Sequence, residues 1–119
     1  MVVIKYKTYG LNRIRDLLST DLTKAQLGTD NTVPKEEDTG LVTPIGGTKL
    51  STTYSTADGE LTVSYTLDNA TGLNQTYKEF ALLDVNENVF SRIVFNDYDH
   101  DSSKTLTIRK RLFFRNART

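Results

Sequence analysis

The clearest pattern in the chain is an alternation of period two, with Leu61, Val63, Tyr65 and Leu67 on one parity and Thr62, Ser64 and Thr66 on the other. Successive side chains of a strand point to opposite faces, so this segment predicts a strand with one face buried and one wet. Asp58-Gly59 just before it is a tight-turn pair and predicts a hairpin with the Thr- and Tyr-rich run 49–56. A second hairpin is predicted from 77–85 and 89–95, which flank Asn86-Glu87-Asn88, where an Asn can take the left-handed conformation. A polar break at 96–103 precedes a last strand over 104–115, in which Leu106, Ile108, Leu112 and Phe114 share a parity with Lys110. A charged residue on that parity predicts an irregularity or an exposed end there.

Near the start the period is different. Leu11, Ile14, Leu17 and Leu18 recur three and four residues apart, which predicts one short helix over about 10–19. Ala25-Gln26-Leu27-Gly28 reads as a brief strand. A long loop is predicted at 29–47, because both prolines, Pro34 and Pro44, together with Gly28, Gly40, Gly46 and Gly47, interrupt regular pairing. Within it Glu36, Glu37 and Asp38 suit a single helical turn, and Leu41, Val42 and Ile45 are expected to anchor the loop to the core. Short strands separated by turns, with no alternating helices, predict an all-β fold: an antiparallel β-sandwich with one short N-terminal helix. It is expected as a single domain over 1–119 with strands mainly at 48–115, and no repeat of 20–50 residues points to a solenoid or propeller.

Composition sharpens this reading by exclusion. An apolar fraction of 37% in 119 residues suits one modest core and extended chain with much of its surface in water. Fifteen basic and fifteen acidic residues cancel, so no net field draws the chain to nucleic acid, and no nucleic-acid partner is expected. With no Cys there are no disulfides or thiolate metal sites. The opening run Val2-Val3-Ile4 is too short for a signal-peptide core, and no apolar run approaches the ~20 residues of a membrane span. A soluble protein made in the cytosol, without membrane insertion, is the expectation.

Little in the chain is equipped for chemistry. His100 stands alone, which leaves neither a multi-imidazole zinc site nor a convincing triad, and no Gly-x-Ser-x-Gly turn surrounds a serine. Glu79, Asp84 and Asp97 are candidate acid and base groups for a glycoside hydrolase, but Glu79 and Asp84 have opposite parity on one strand and would face opposite sides. The metal candidate is calcium on Asp97, Asp99 and Asp101, whose alternation places carboxylates on one side. Counted from Asp97, however, Ser102 falls at the glycine position of an EF-hand loop and Ile108 at its bidentate Glu. A solvated acidic turn is therefore preferred, no cofactor is expected, and the chain is read as not an enzyme. Gly46-Gly47-Thr48-Lys49 leads into a strand and not a helix, so it reads as a turn and not a phosphate loop. Tyr54 and Tyr98 are candidates for stacking on a sugar. The C-terminal segment is basic through Lys104, Arg109, Lys110, Arg111, Arg115 and Arg118, with Arg109, Arg111, Phe113 and Arg115 on one face of the strand. Arginine beside an aromatic ring is common at protein interfaces and on guarded sheet edges, so these four, with Pro34 and Leu41 in the loop, are the interface candidates.

Several stretches resemble a known family. Gly10-Leu11-Asn12-Arg13-Ile14-Arg15-Asp16-Leu17-Leu18 is similar to the N-terminal helix of phage tail-fibre and baseplate-associated proteins. The stretch 27–41 resembles them in its Gly28-Thr29, Pro34 and Asp38-Thr39-Gly40-Leu41 landmarks. Lys78-Glu79-Phe80-Ala81-Leu82-Leu83-Asp84 resembles that family's E-x-G-L-F-D strand, with Ala81 where Gly is usual, followed by Val89-Phe90-Ser91-Arg92 and the closing 104–108. The resemblance implies a virion structural protein: a small tail, fibre or baseplate module that joins other virion proteins, often as a homo-oligomer, after synthesis in the host cytoplasm. Alternatives are a receptor-binding module for a host glycan or surface protein, using loops at 68–74 and 96–103, and a capsid decoration or turret protein.

Overall fold

The computed structural model describes residues 5–68 and 74–116. Among them the chain forms helix α1 (Thr8–Asp21) and strands β1 (Lys24–Gly28), β2 (Leu50–Ser51), β3 (Thr53–Ala57), β4 (Glu60–Leu67), β5 (Gln75–Leu83), β6 (Val89–His100) and β7 (Leu106–Phe113). One sheet has the order β2-β1-β5-β6 and the other β3-β4-β7, with every pairing antiparallel. The sheets bury one apolar layer between them, Leu27, Phe80 and Leu82 from the first against Leu61, Val63, Tyr65 and Leu67 from the second. The chain is thus an all-β antiparallel sandwich with a single N-terminal helix.

The period-two pattern of β4 is the reason that layer exists, since its four large residues share one face and all are buried. Tyr65 satisfies its polar end by donating to the Thr48 carbonyl at 2.6 Å, and its ring meets Phe80 edge-on at 5.4 Å. Burial, with Tyr77 nearby, pushes its phenol well above the usual tyrosine range. Arg109, Arg111 and Phe113 alternate with Leu106, Ile108 and Leu112 along β7, which pairs with β4 without a break from Glu60↔Phe113 to Leu67↔Leu106. The expected irregularity at Lys110 is absent: the lysine lies half-buried opposite Val63, on the inward parity.

Three other expectations are corrected. The run 49–56 is two strands in different sheets, because Thr52 donates its N–H to the Thr23 carbonyl and its hydroxyl to the Leu22 carbonyl, which fixes the chain where it crosses. In the β5–β6 turn the left-handed residue is Glu87, at φ 65°, and not an Asn. The Asp84 carboxylate accepts both flanking Asn86 and Asn88 amides, while the Glu87 carboxylate reaches Lys24 at 2.8 Å and Lys49 at 3.4 Å. Lastly, Asn96 to Asp99 belong to β6: it runs on to His100 and pairs with the start of β5, absorbing its extra residues in a bulge opposite Tyr77 and Glu79. Their polarity reflects exposure at a sheet edge, not a loop.

The helix reaches two residues beyond the predicted 10–19 at each end, and it reads the β3–β4 turn. Asn12 accepts the Gly59 amide at 2.8 Å and donates to Asp58 at 3.2 Å, and Arg15 donates to the Ala57 carbonyl at 2.8 Å. No described helix is long and apolar enough to cross a membrane.

Candidate functional site

The loop joining β1 to β2 has few backbone bonds of its own, chiefly Thr29 to Thr43 and Ile45 to Leu27. Its shape is set from beneath by two buried charges on the outward face of the first sheet. Phe80 and Leu82 of β5 point into the core, so Glu79 and Ala81 point out, and both are fully buried because the loop lies over them. The Glu79 carboxylate accepts the amides of Asp30 at 3.0 Å, Val42 at 2.9 Å and Thr43 at 3.0 Å. Its fourth donor is Arg92 Nε at 3.0 Å, from β6. Arg92 is itself 8% exposed and donates to the carbonyls of Thr32 at 2.7 Å and Asp30 at 3.3 Å. Its guanidinium also lies 3.6 Å from the Asp38 carboxylate and 3.8 Å from that of Asp30. One ion pair therefore ties both arms of the loop and its tip to the sheet.

Burial alone would raise the Glu79 pKa, but the Thr43 amide, Arg92 and the Val42 and Asp30 amides outweigh it and hold the carboxyl below the usual glutamate value. The Asp30 carboxyl is also lowered, mainly by the Thr32 hydroxyl and amide, with Arg92 adding to the effect. Gly28, directly opposite Glu79 in the ladder, makes the arrangement possible. A Cβ there would sit 2.5 Å from Glu79 Oε2 and 2.6 Å from the Thr43 carbonyl oxygen.

The loop departs from its expected anchoring in one respect. Ile45 packs against the core, Leu41 is half-buried, and Val42 has its side chain 52% exposed while its amide binds Glu79. Glu36 and Glu37 form a hydrogen-bonded turn and not a helical one, closed by Asp38, which accepts the Lys35 amide at 2.9 Å. Val33, at 73% exposure, and Pro34 stand at the surface.

The remaining interface candidates gather elsewhere. Arg109, Arg111 and Phe113 share the outward face of β7, and Arg115 follows beside them. Phe113 is 49% exposed, with the guanidinium carbons of Arg115 and Arg111 at 4.5 and 5.5 Å from its ring centre. Arg111 is also bound to Glu60 at 2.6 Å. Arg118 lies outside the described residues.

The three aspartates of the calcium candidate engage different partners. Asp97 lies 3.7 Å from Lys78, Asp99 accepts the Thr76 hydroxyl at 2.6 Å, and Asp101 accepts the Ser103 amide at 2.9 Å. Among the described residues no three His, Asp or Glu side chains converge on a metal-sized site. His100 is buried between Lys104, whose carbonyl lies 2.8 Å from Nε2, and Tyr77, whose hydroxyl lies 3.3 Å from Nδ1; this suits the tautomer protonated at Nε2. Of the candidate acids, Glu79 has its carboxylate filled by four N–H donors, and Asp84 caps a turn. A cleft of about 260 Å³ lined by Tyr77, Phe80, Ile93, Phe95, Leu106 and Ile108 opens between β6 and β7.

Arg92 is the residue that sequence reasoning passed over. Its signal was present: one charge within Val89-Phe90-Ser91-Arg92-Ile93-Val94-Phe95, with Glu79 as the matching charge just before the apolar run of the preceding strand. Two opposite charges inside adjacent apolar strands predict a buried pair. Comparison with protein-family models, curated proteins and solved structures found no match to this chain in any of the three.

Proposed function

We propose that this chain is a structural component of a tailed-virus particle, a small tail, fibre or baseplate module that acts by docking on other virion proteins and not by catalysis. The observation that carries this is the loop held over the first sheet by Glu79 and Arg92. A long polar loop fixed on a rigid sandwich is a surface ready for contact, and the charges beneath it are consumed in holding it. The same loop contains the landmarks that resemble tail-fibre proteins. Synthesis in the host cytoplasm and incorporation into the particle follow from that role. Mass spectrometry of purified particles tests it: recovery of the chain in fixed stoichiometry with tail proteins is expected, and its absence from the particles would overturn the proposal.

A receptor-binding role has one observation in its favour. Thr29, Gln75, Thr76, Lys78, Asp99 and His100 line an open polar hollow of about 530 Å³ at one end of β5 and β6, rich in groups that hydrogen-bond sugars. Saturable binding of the isolated chain on a glycan array, lost in Thr76→Val and Asp99→Ala, would favour this role over a purely structural one.

A further inference from the structure

The interface candidates fall on opposite sides of the sandwich. The loop covers the outward side of the first sheet, where Glu79 and Arg92 point away from the core. Arg109, Arg111 and Phe113 alternate with the core-facing residues of β7 and so point outward from the second sheet. The two surfaces cannot meet within one chain.

They are complementary. The loop exposes Glu36 and Glu37, with Lys35 next to them in the chain, and the apolar Val33, Pro34 and Val42. The β7 face exposes Arg109 and, 4.5 Å from the ring centre of Phe113, Arg115; half of the Phe113 surface is in water. Positive and negative residues cancel over the whole chain, yet the loop tip carries two exposed glutamates to one exposed lysine, and the β7 face carries three arginines, one of them bound to Glu60. The loop is also fixed before any contact forms, so docking it carries little ordering cost.

We infer that copies of this chain associate head to tail, the loop of one copy seating on the outward β7 face of the next. This rests on the structural role proposed above and names one partner for it: a second copy. Two β7 faces pairing about a two-fold axis would bring the exposed Arg109 and Arg115 of both copies onto one surface, which like-charge repulsion disfavours. Unlike surfaces on opposite sides give a heterologous contact, which closes into a ring if its rotation permits and otherwise continues as a fibre. Glu36 and Glu37 face Arg109 and Arg115 of the neighbour, and the valines and Pro34 cover Phe113.

Sedimentation velocity over a rising concentration series tests this with two charge reversals, E36K/E37K and R109E/R115E. All four positions are exposed, so unchanged melting temperatures confirm that both variants fold. The expected result is concentration-dependent self-association that high salt weakens and that each reversal weakens about tenfold or more. Mixing the two variants restores it, since reversed loop then meets reversed face. A wild-type chain that stays monomeric throughout, or an oligomer that both reversals leave unchanged, overturns the inference. A monomer that is nevertheless found in purified particles sinks the self-contact and leaves the virion role standing.

Discussion

Both outer faces of the sandwich carry arginine, and they use it in opposite ways. On the first sheet Arg92 is buried beneath the loop, bonded to Glu79 and to two loop carbonyls. On the second, Arg109 stands in water further along β7, and Arg115 lies in water over a half-exposed Phe113. A charge taken out of water must be fully paired, and removing its partner leaves a desolvation penalty that nothing offsets. A charge left in water forms pairs worth about 0–1 kcal/mol, so it is nearly free to be used for something else. The first face therefore fixes the shape of the loop over it, and the second is available for contact.

Breaking the buried side has the largest expected effect. Arg92→Met leaves the Glu79 carboxylate buried without its cation and should lower unfolding free energy by about 3–5 kcal/mol in urea titration. The loss in Glu79→Gln/Arg92→Met should fall short of the sum of the two single losses, since the residues act as one unit. Gly28→Ala drives a methyl group into Glu79 and the Thr43 carbonyl, and about 1–3 kcal/mol of destabilisation is expected by the same titration.

Acid sharpens the contrast less severely. The folded pKa of Glu79 lies below its unfolded value, so the ionised pair contributes its full stability above the ordinary glutamate value of about 4.3. That contribution drains away as pH falls from there through the folded pKa. Thermal melts between neutral pH and about pH 3 should show a steeper acid loss in the wild type than in Glu79→Gln. On the open face the effect on stability should be smallest: Arg109→Glu and Arg115→Glu should each stay within about 0.5 kcal/mol of the wild type.

How much of this was legible in the sequence depended on which neighbours a residue needed. The β4 alternation, the Asp58-Gly59 turn and the outward row on β7 are local patterns, and each is found where its period placed it. The helix forms where its period placed it, but of its apolar stripe only Leu11 and Leu18 are half-buried, while Ile14 and Leu17 stand exposed. The division of 49–56 between two sheets was hidden, because Thr52 takes its partners from Thr23 and Leu22, far away in the chain. The extension of β6 was masked because Asn96 to Asp99 are polar for reasons of exposure, not of turn geometry. Pro34 and Leu41 were singled out as landmarks and interface candidates of the loop, but what fixes that loop is a carboxylate and a guanidinium from strands much later in the chain. Glu79 was weighed as a catalytic acid because a lone glutamate does not announce that four N–H groups will fill it.

Native-state hydrogen exchange at the Asp30, Val42 and Thr43 amides tests the central claim most directly. If Glu79 and Arg92 hold the loop, these three amides are strongly protected in the wild type. In Arg92→Met they exchange at near loop-like rates, while the β4 amides keep whatever protection the remaining global stability allows. Wild-type exchange at those three amides as fast as in an exposed loop would contradict the account.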